Sequence, residues 1–255
     1  MTIAGGDPEG ATPLTDEELD GLIPDHVATR AELDVVEFEG IIEALPWARN
    51  VARRSHPTDL LTVSFLMALH RRMFRDVWRW AGMFRRRETN IGADPGLLPG
   101  RVKVILDDAS YWHDHGTFDR AEIAARLHHR LVAVHPFPNG NGRCTRLLVD
   151  CYLAACGAPP LTWGGAADGD APEVVRAAYL AALRAADGGD YEALLAFVQA
   201  ERQVAHAQHD VAIDAAAEEV ALGAVASGGG IVTTALDERG RLCEFHPDGT
   251  ITPLA

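Results

Sequence analysis

The stretch HPFPNGNGRCTR, His135 to Arg146, stands between two segments of helical period. Upstream, Ile123, Leu127, Leu131 and Val134 share one helical face. Downstream, Leu147, Leu148, Cys151 and Ala155 continue such a stripe. Glycines and prolines between them make a turn. A fold of this chain therefore has to set two helices around one glycine-rich corner. That corner carries a histidine at one lip and two arginines at the other.

The rest of the chain reads mainly as helix. TDEELDGLI has the spacing of a capping box, with Thr15 as N-cap and Glu18 three residues on. TRAELDVVEFEGIIEALPWARN predicts a helix that ends or kinks near Pro46. LTVSFLMALHRRMFRDVWRWAG carries Phe65, Leu66, Leu69, Met73 and Val77 at helical spacing, with Trp78 and Trp80 as core aromatics. MFRRRETNIGADPGLLPG breaks that period and predicts two extended segments around a turn, in which Arg85, Arg86 and Arg87 alternate faces. Pro172 fits a first helical position and Gly188 a helix end. A further helix is expected from Asp190 to about Gln208. The serine-glycine stretch 227–230 reads as a linker, and the last residues read as two or three short strands. The predicted organisation is a flexible terminus (1–14), a main helical domain (15–200), a helical extension (201–226) and a β-like tail (227–255).

Charge narrows the partners. The 255-residue chain carries −14, against a general nucleic-acid binder. The ends are acidic: residues 1–50 hold 12 acids and 2 bases, and residues 185–255 hold 12 acids and 3 bases. Residues 51–184 hold 13 acids and 18 bases, a mildly basic centre suited to an anionic small ligand. No apolar run reaches the roughly 18 residues of a membrane span. The acidic N-terminus lacks a signal core, so a cytoplasmic protein is expected. The four cysteines form no C-x-x-C pair and are expected as buried apolar side chains. His128 and His129 are adjacent, so a helix turns them about 100° apart and they cannot share a metal. One is expected partly buried and the other at the surface.

The twelve residues have a chemistry of their own. A helix beginning near Gly140 offers unpaired backbone N–H groups and positive dipole potential. Glycines at 140 and 142 let a ligand approach that backbone, which makes an anion nest suited to phosphate. Arg143 and Arg146, three apart, project together, and two guanidinium groups beside a nest point to a polyphosphate. His135 at the opposite lip is placed to take a proton from a hydroxyl, and Phe137 packs inward to fix the loop.

This pattern resembles the Fic/Doc family signature H-x-F-x-[D/E]-G-N-G-R-x-x-R. The wider context is similar to its mobile mystery protein B subgroup, through TPLTDEELDGLIPDHVATRAEL, RRMFRDVWRWAGMFR, NIG, RLHHRLVAVHPFPNGNGR and LTWG. The likeness covers roughly residues 12–200. It implies a Fic-type helical bundle with a short β-hairpin flap over the site. It implies a nucleotidyltransferase that moves AMP from ATP, with Mg²⁺, to a Ser, Thr or Tyr hydroxyl of a target protein. On that resemblance His135 is the general base, and Asn141 with the Gly140 and Gly142 backbone holds the α- and β-phosphates. Arg143 serves the β-phosphate and Arg146 the γ-phosphate. The flap, with Arg86, Arg87, Asn90 and Ile91, receives the target. The alternatives are a Doc-like phosphotransferase using the same site and a lapsed nucleotide-binding module.

The chain departs from the signature at Asn139, where the family has a metal-binding acid. A carboxamide brings no charge to Mg²⁺, so Asn139→Asp is expected to raise activity. The family's self-inhibitory motif, [S/T]-x-x-x-E-[G/N], has no full match. Glu39, before Gly40, is the nearest candidate. A separate antitoxin-like protein is the other expected inhibitor.

Overall fold

The structure, a computed structural model, describes residues 13–164 and 172–200 and three strands between residues 233 and 253. The chain divides into two units. The first carries the helices. They are α1 (Asp16–Leu19), α2 (Arg30–Ala52), α3 (Val63–Phe74), α4 (Leu98–His115), α5 (Arg120–Val134), α6 (Asn141–Ala155), α7 (Pro172–Asp187) and α8 (Glu192–Gln199).

Local chemistry sets most of the helix ends. Thr15 and Glu18 make the expected capping box on α1, and Thr29 and Glu32 make a second on α2. Thr62 and Asp119 cap α3 and α5 through their side chains. α2 does not end near Pro46, as the sequence predicts, but runs on to Ala52. Proline removes one backbone donor and crowds the carbonyl four residues back, at a cost of about 3 kcal/mol. The buried alanines Ala44, Ala48 and Ala52 on either side pack α2 on α3 and α6, which outweighs that loss.

α5 and α6 pack on each other at the centre, with the His135–Gly140 corner between them. α6 also meets α2 and α3, α4 lies against α5, and α8 against α5. Leu66, Leu69, Phe74, Trp78, Ile123, Leu127, Leu131, Leu148 and Tyr152 form the dry interior that fixes the corner. His128 and His129 both lie inside, which corrects the expected surface position of the second. His129 meets Tyr191 and Asp187 from beyond α7 and at its end. Cys144 and Cys151 are buried, Cys156 is half-buried, and all three are free.

The predicted β-hairpin at 84–98 is not a hairpin. The segment holds no strand and ends in a 3-10 turn at Pro95–Leu97. The reason lies in Arg85, whose guanidinium takes the Arg87 and Ala93 carbonyls that cross-strand pairing would use.

The second unit contains a three-stranded antiparallel meander, β1 (Thr233–Leu236), β2 (Leu242–Phe245) and β3 (Ile251–Pro253). Leu236 stands opposite Leu242, and Phe245 opposite Ile251. The expected helix over 201–226, and the part of the expected 190–208 helix beyond Ala200, lie outside the described residues.

Candidate active site

His135 is the C-cap of α5, in left-handed backbone (φ 54°, ψ 63°), its N–H donating to the Leu131 carbonyl at 3.0 Å. Positive φ on a residue with a Cβ marks a position that its surroundings enforce. The residue is only 8% exposed. Burial pushes its imidazole down to about 4; the Arg85 and Arg87 charges add to this, and a hydrogen bond to the Val132 backbone opposes it. The ring is therefore neutral at pH 7 and able to accept a proton.

Phe137 is fully buried, its ring stacked on His70 at 3.8 Å. His70 is itself inside. It accepts from Gly82 N–H at Nδ1 (2.9 Å), so its Nε2–H donates to the Asn139 carbonyl (3.1 Å). Burial holds it neutral, with its ionisation down at about 3. Asn141 closes the same loop. Its Oδ1 accepts from Phe137 N–H at 2.9 Å, and its Nδ2 donates to the Phe137 carbonyl at 2.8 Å. One N–H and the oxygen of that amide are used inside the loop, which fixes the side chain against Phe137.

The backbone there is well placed. Cys144 N–H makes the first intrahelical bond of α6, to the Gly140 carbonyl, so the N–H groups of Asn141, Gly142 and Arg143 precede it. Gly140 has φ 76°, and a Cβ on it would stand 2.6 Å from the Phe74 ring, so no other residue fits. A Cβ on Gly142 would meet nothing within 4 Å, which leaves room beside the amides.

The two arginines part company. Arg143 donates through Nη2 to Glu37 Oε2 at 2.8 Å. Glu37, on α2, is 1% exposed, and its Oε1 accepts from Trp78 Nε1 (2.7 Å) and Asn139 Nδ2 (3.2 Å). Arg146 instead lies between two aromatic rings, 4.9 Å from the Tyr179 centroid and 5.3 Å from that of Trp163. One turn along α6, burial pushes the Asp150 carboxyl up to about 7, against the pull of Arg146 and Arg49.

The residues do not fit a magnesium ion held through position 139. Asn139 Oδ1 accepts from Gly140 N–H at 2.7 Å while its Nδ2 is on Glu37. Among the described residues no group of three or more His, Cys, Asp or Glu is arranged to hold a metal.

Around the flap segment, Arg86, Asn90 and Ile91 are exposed. Arg87 is turned back onto α1, its guanidinium bidentate on Glu18 at 2.9 and 2.7 Å and bonded to the Pro13 carbonyl at 2.8 Å. Glu39 is exposed on α2, two residues from the buried Glu37. Glu37 is legible in the helical phase, since it shares the stripe of Leu33, Ala44 and Ala48. His70 is legible in the same way, on the stripe of Leu66 and Met73, whereas nothing in the sequence separates Arg85 from the arginines after it.

Residues 60–153 match the Fic/DOC family. The chain is similar to a protein adenylyltransferase Fic of Drosophila virilis, 30% identical over 54% of this chain and 28% of that protein. It is similar to protein adenylyltransferase fic-1 of Caenorhabditis elegans, 29% identical over 70% of this chain and 34% of that protein. Among solved structures it resembles a Fic domain containing signaling protein of Bacteroides thetaiotaomicron, with TM-score 0.51 and 26% identity over 65% of this chain and 66% of that one. The chain thus spans about a third or less of the length of these two curated relatives. Among the described residues no helix is long and apolar enough to cross a membrane.

Proposed function

We propose that this Fic domain is a protein adenylyltransferase, moving AMP from ATP to a hydroxyl of a target protein. The observation that carries the reading is a buried His135, fixed in left-handed backbone at the end of α5, across one short loop from the open amide groups at the start of α6. The imidazole takes the proton of an incoming Ser, Thr or Tyr hydroxyl. The oxygen attacks the α-phosphorus, and pyrophosphate leaves with the α–β bridging oxygen. The N–H groups of Asn141, Gly142 and Arg143 face the phosphates, and Arg143 and Arg146 supply charge. Arg86, Asn90 and Ile91 offer the surface on which the target segment lies. The Mg²⁺ that the resemblance implies finds no anionic protein ligand at position 139, and no step here runs through it. We place the reaction in the cytoplasm, with an antitoxin-like protein as an external regulator.

The test is label transfer from α-labelled and γ-labelled ATP in parallel, to lysate proteins and to the chain itself. Label from α-ATP, lost by about a hundredfold or more in His135→Ala with ATP still bound, is the expected result. Label from γ-ATP alone overturns it in favour of a Doc-like phosphotransferase. ATP binding without transfer of either label points to the lapsed module. The rate holds from neutral pH down toward 4 and falls below, because His135 gains its proton there and not near 6.5.

A further inference from the structure

Arg85 is the middle of the molecule's least ordinary hydrogen-bond arrangement. It is 3% exposed, and its guanidinium faces only main-chain oxygens. Nε donates to the His135 carbonyl at 2.6 Å, and Nη1 to the Arg87 carbonyl at 2.6 Å. Nη2 donates to the Ala93 carbonyl and, at 3.4 Å, to that of Val134. Two backbone bonds run alongside, Arg85 N–H to the Pro136 carbonyl (2.9 Å) and Ala93 N–H to the Val134 carbonyl (3.1 Å). Gly92, at φ 113°, lies so close that a Cβ on it would stand 2.6 Å from Arg85 Nη2 and 2.9 Å from His135 Cβ.

A buried charge is costly, and neutral groups suffice to tie one loop to another. The guanidinium does two things a neutral group cannot. It reaches carbonyls on the loop's two limbs and on the left-handed cap residue at once, since its five N–H groups form a rigid fork. It also sets a fixed positive charge beside the imidazole. We propose that Arg85 is a positioning residue for His135: one side chain fastens the 85–93 segment to the backbone of the base, so that the seating of this segment and the seating of the imidazole are a single equilibrium. The charges facing this pair are Arg87, Asp94, Glu88 and Glu18 around Arg85, and Arg85 and Arg87 around His135.

The inference rests on His135 as the base, and one readout is independent of any reaction. The test compares the full chain with its Arg85→Gln, Arg85→Lys and Gly92→Ala variants, following three quantities. These are the NMR titration of the His135 imidazole, ATP affinity, and the kcat of label transfer. Arg85→Gln is expected to move the imidazole midpoint upward from about 4 and to lower kcat by about tenfold or more, with ATP affinity held. Arg85→Lys, which keeps charge without the fork, keeps the low midpoint and loses kcat. Gly92→Ala leaves Arg85 in place but wedges it from the base, and lowers kcat at unchanged ATP affinity. It serves as the readout if Arg85→Gln does not fold. An unmoved midpoint in Arg85→Gln, or an unchanged kcat in Gly92→Ala, overturns the proposal. If the wild-type chain transfers no label, the adenylyltransferase reading fails, while the midpoint still decides the coupling.

Discussion

On one side of His135 stands the α6 cradle, on the other the 85–93 segment, and they are held in different ways. The cradle is fixed by its own neighbours in sequence and by the interior: Asn141 clamps Phe137, Phe137 stacks on His70, and Gly140 fills the gap over Phe74. Its geometry is redundant. The 85–93 segment has no ladder of its own and is held by one guanidinium and two backbone hydrogen bonds at the base and by one ion pair at α1. On the proposed function, nucleotide and target meet parts of the molecule that are held in different ways. Changes to the cradle should alter ATP binding, and changes to the segment should alter how the target is engaged.

The sharpest way to break that contrast is Gly140→Ala. The left-handed backbone and the Phe74 ring both oppose a methyl group there. ATP affinity should fall by about tenfold or more and stability by about 2–3 kcal/mol, measured by calorimetry and denaturant melts. Asn139→Asp comes next. The sequence argument expects a gain from restoring an acid, but the structure gives the opposite sign. The new carboxylate would sit where Asn139 Nδ2 now donates to Glu37, 3.2 Å away. A loss of about 1–3 kcal/mol is expected, with lower transfer, and Glu37→Gln in the same chain should restore most of it. A single Asn139→Asp variant that is both as stable and faster would sink this account. Glu37→Gln alone keeps an oxygen for Trp78 and Asn139 and removes the negative charge that faces Arg143. It should tighten ATP binding by about a few-fold, read by the same calorimetry. The smallest effect is on the other side. Arg87→Ala should cost about 1 kcal/mol or less, as a half-exposed ion pair does. Its kinetic signature should be a raised KM for the target with ATP affinity unchanged, and a changed ATP affinity would remove the distinction between the two sides.

How much of this could be read beforehand follows from the same contrast. The cradle is contiguous, so its histidine, glycines and arginines declare themselves by spacing, as do the Thr15 cap and the α7 limits at Pro172 and Gly188. What failed to show was long-range. Pro46 was a local stop signal overruled by packing on α3 and α6. The 84–98 segment had the composition of a hairpin, yet a side chain inside it took the hydrogen bonds a hairpin needs. Three consecutive arginines look alike in sequence, and only the fold separates Arg85 (inward), Arg86 (outward) and Arg87 (onto Glu18). At α2 a motif search selects Glu39 for its glycine neighbour, whereas helical phase selects Glu37, the one that touches Arg143.

The aromatic slot around Arg146 has a practical corollary. An indole whose face lies 5.3 Å from a guanidinium emits light according to where that cation sits. Any polyphosphate that draws Arg146 out of the slot should change Trp163 fluorescence, which gives the proposed nucleotide binding an intrinsic optical readout. A Trp163→Phe chain keeps an aromatic face for the cation and shows the background of the other four tryptophans.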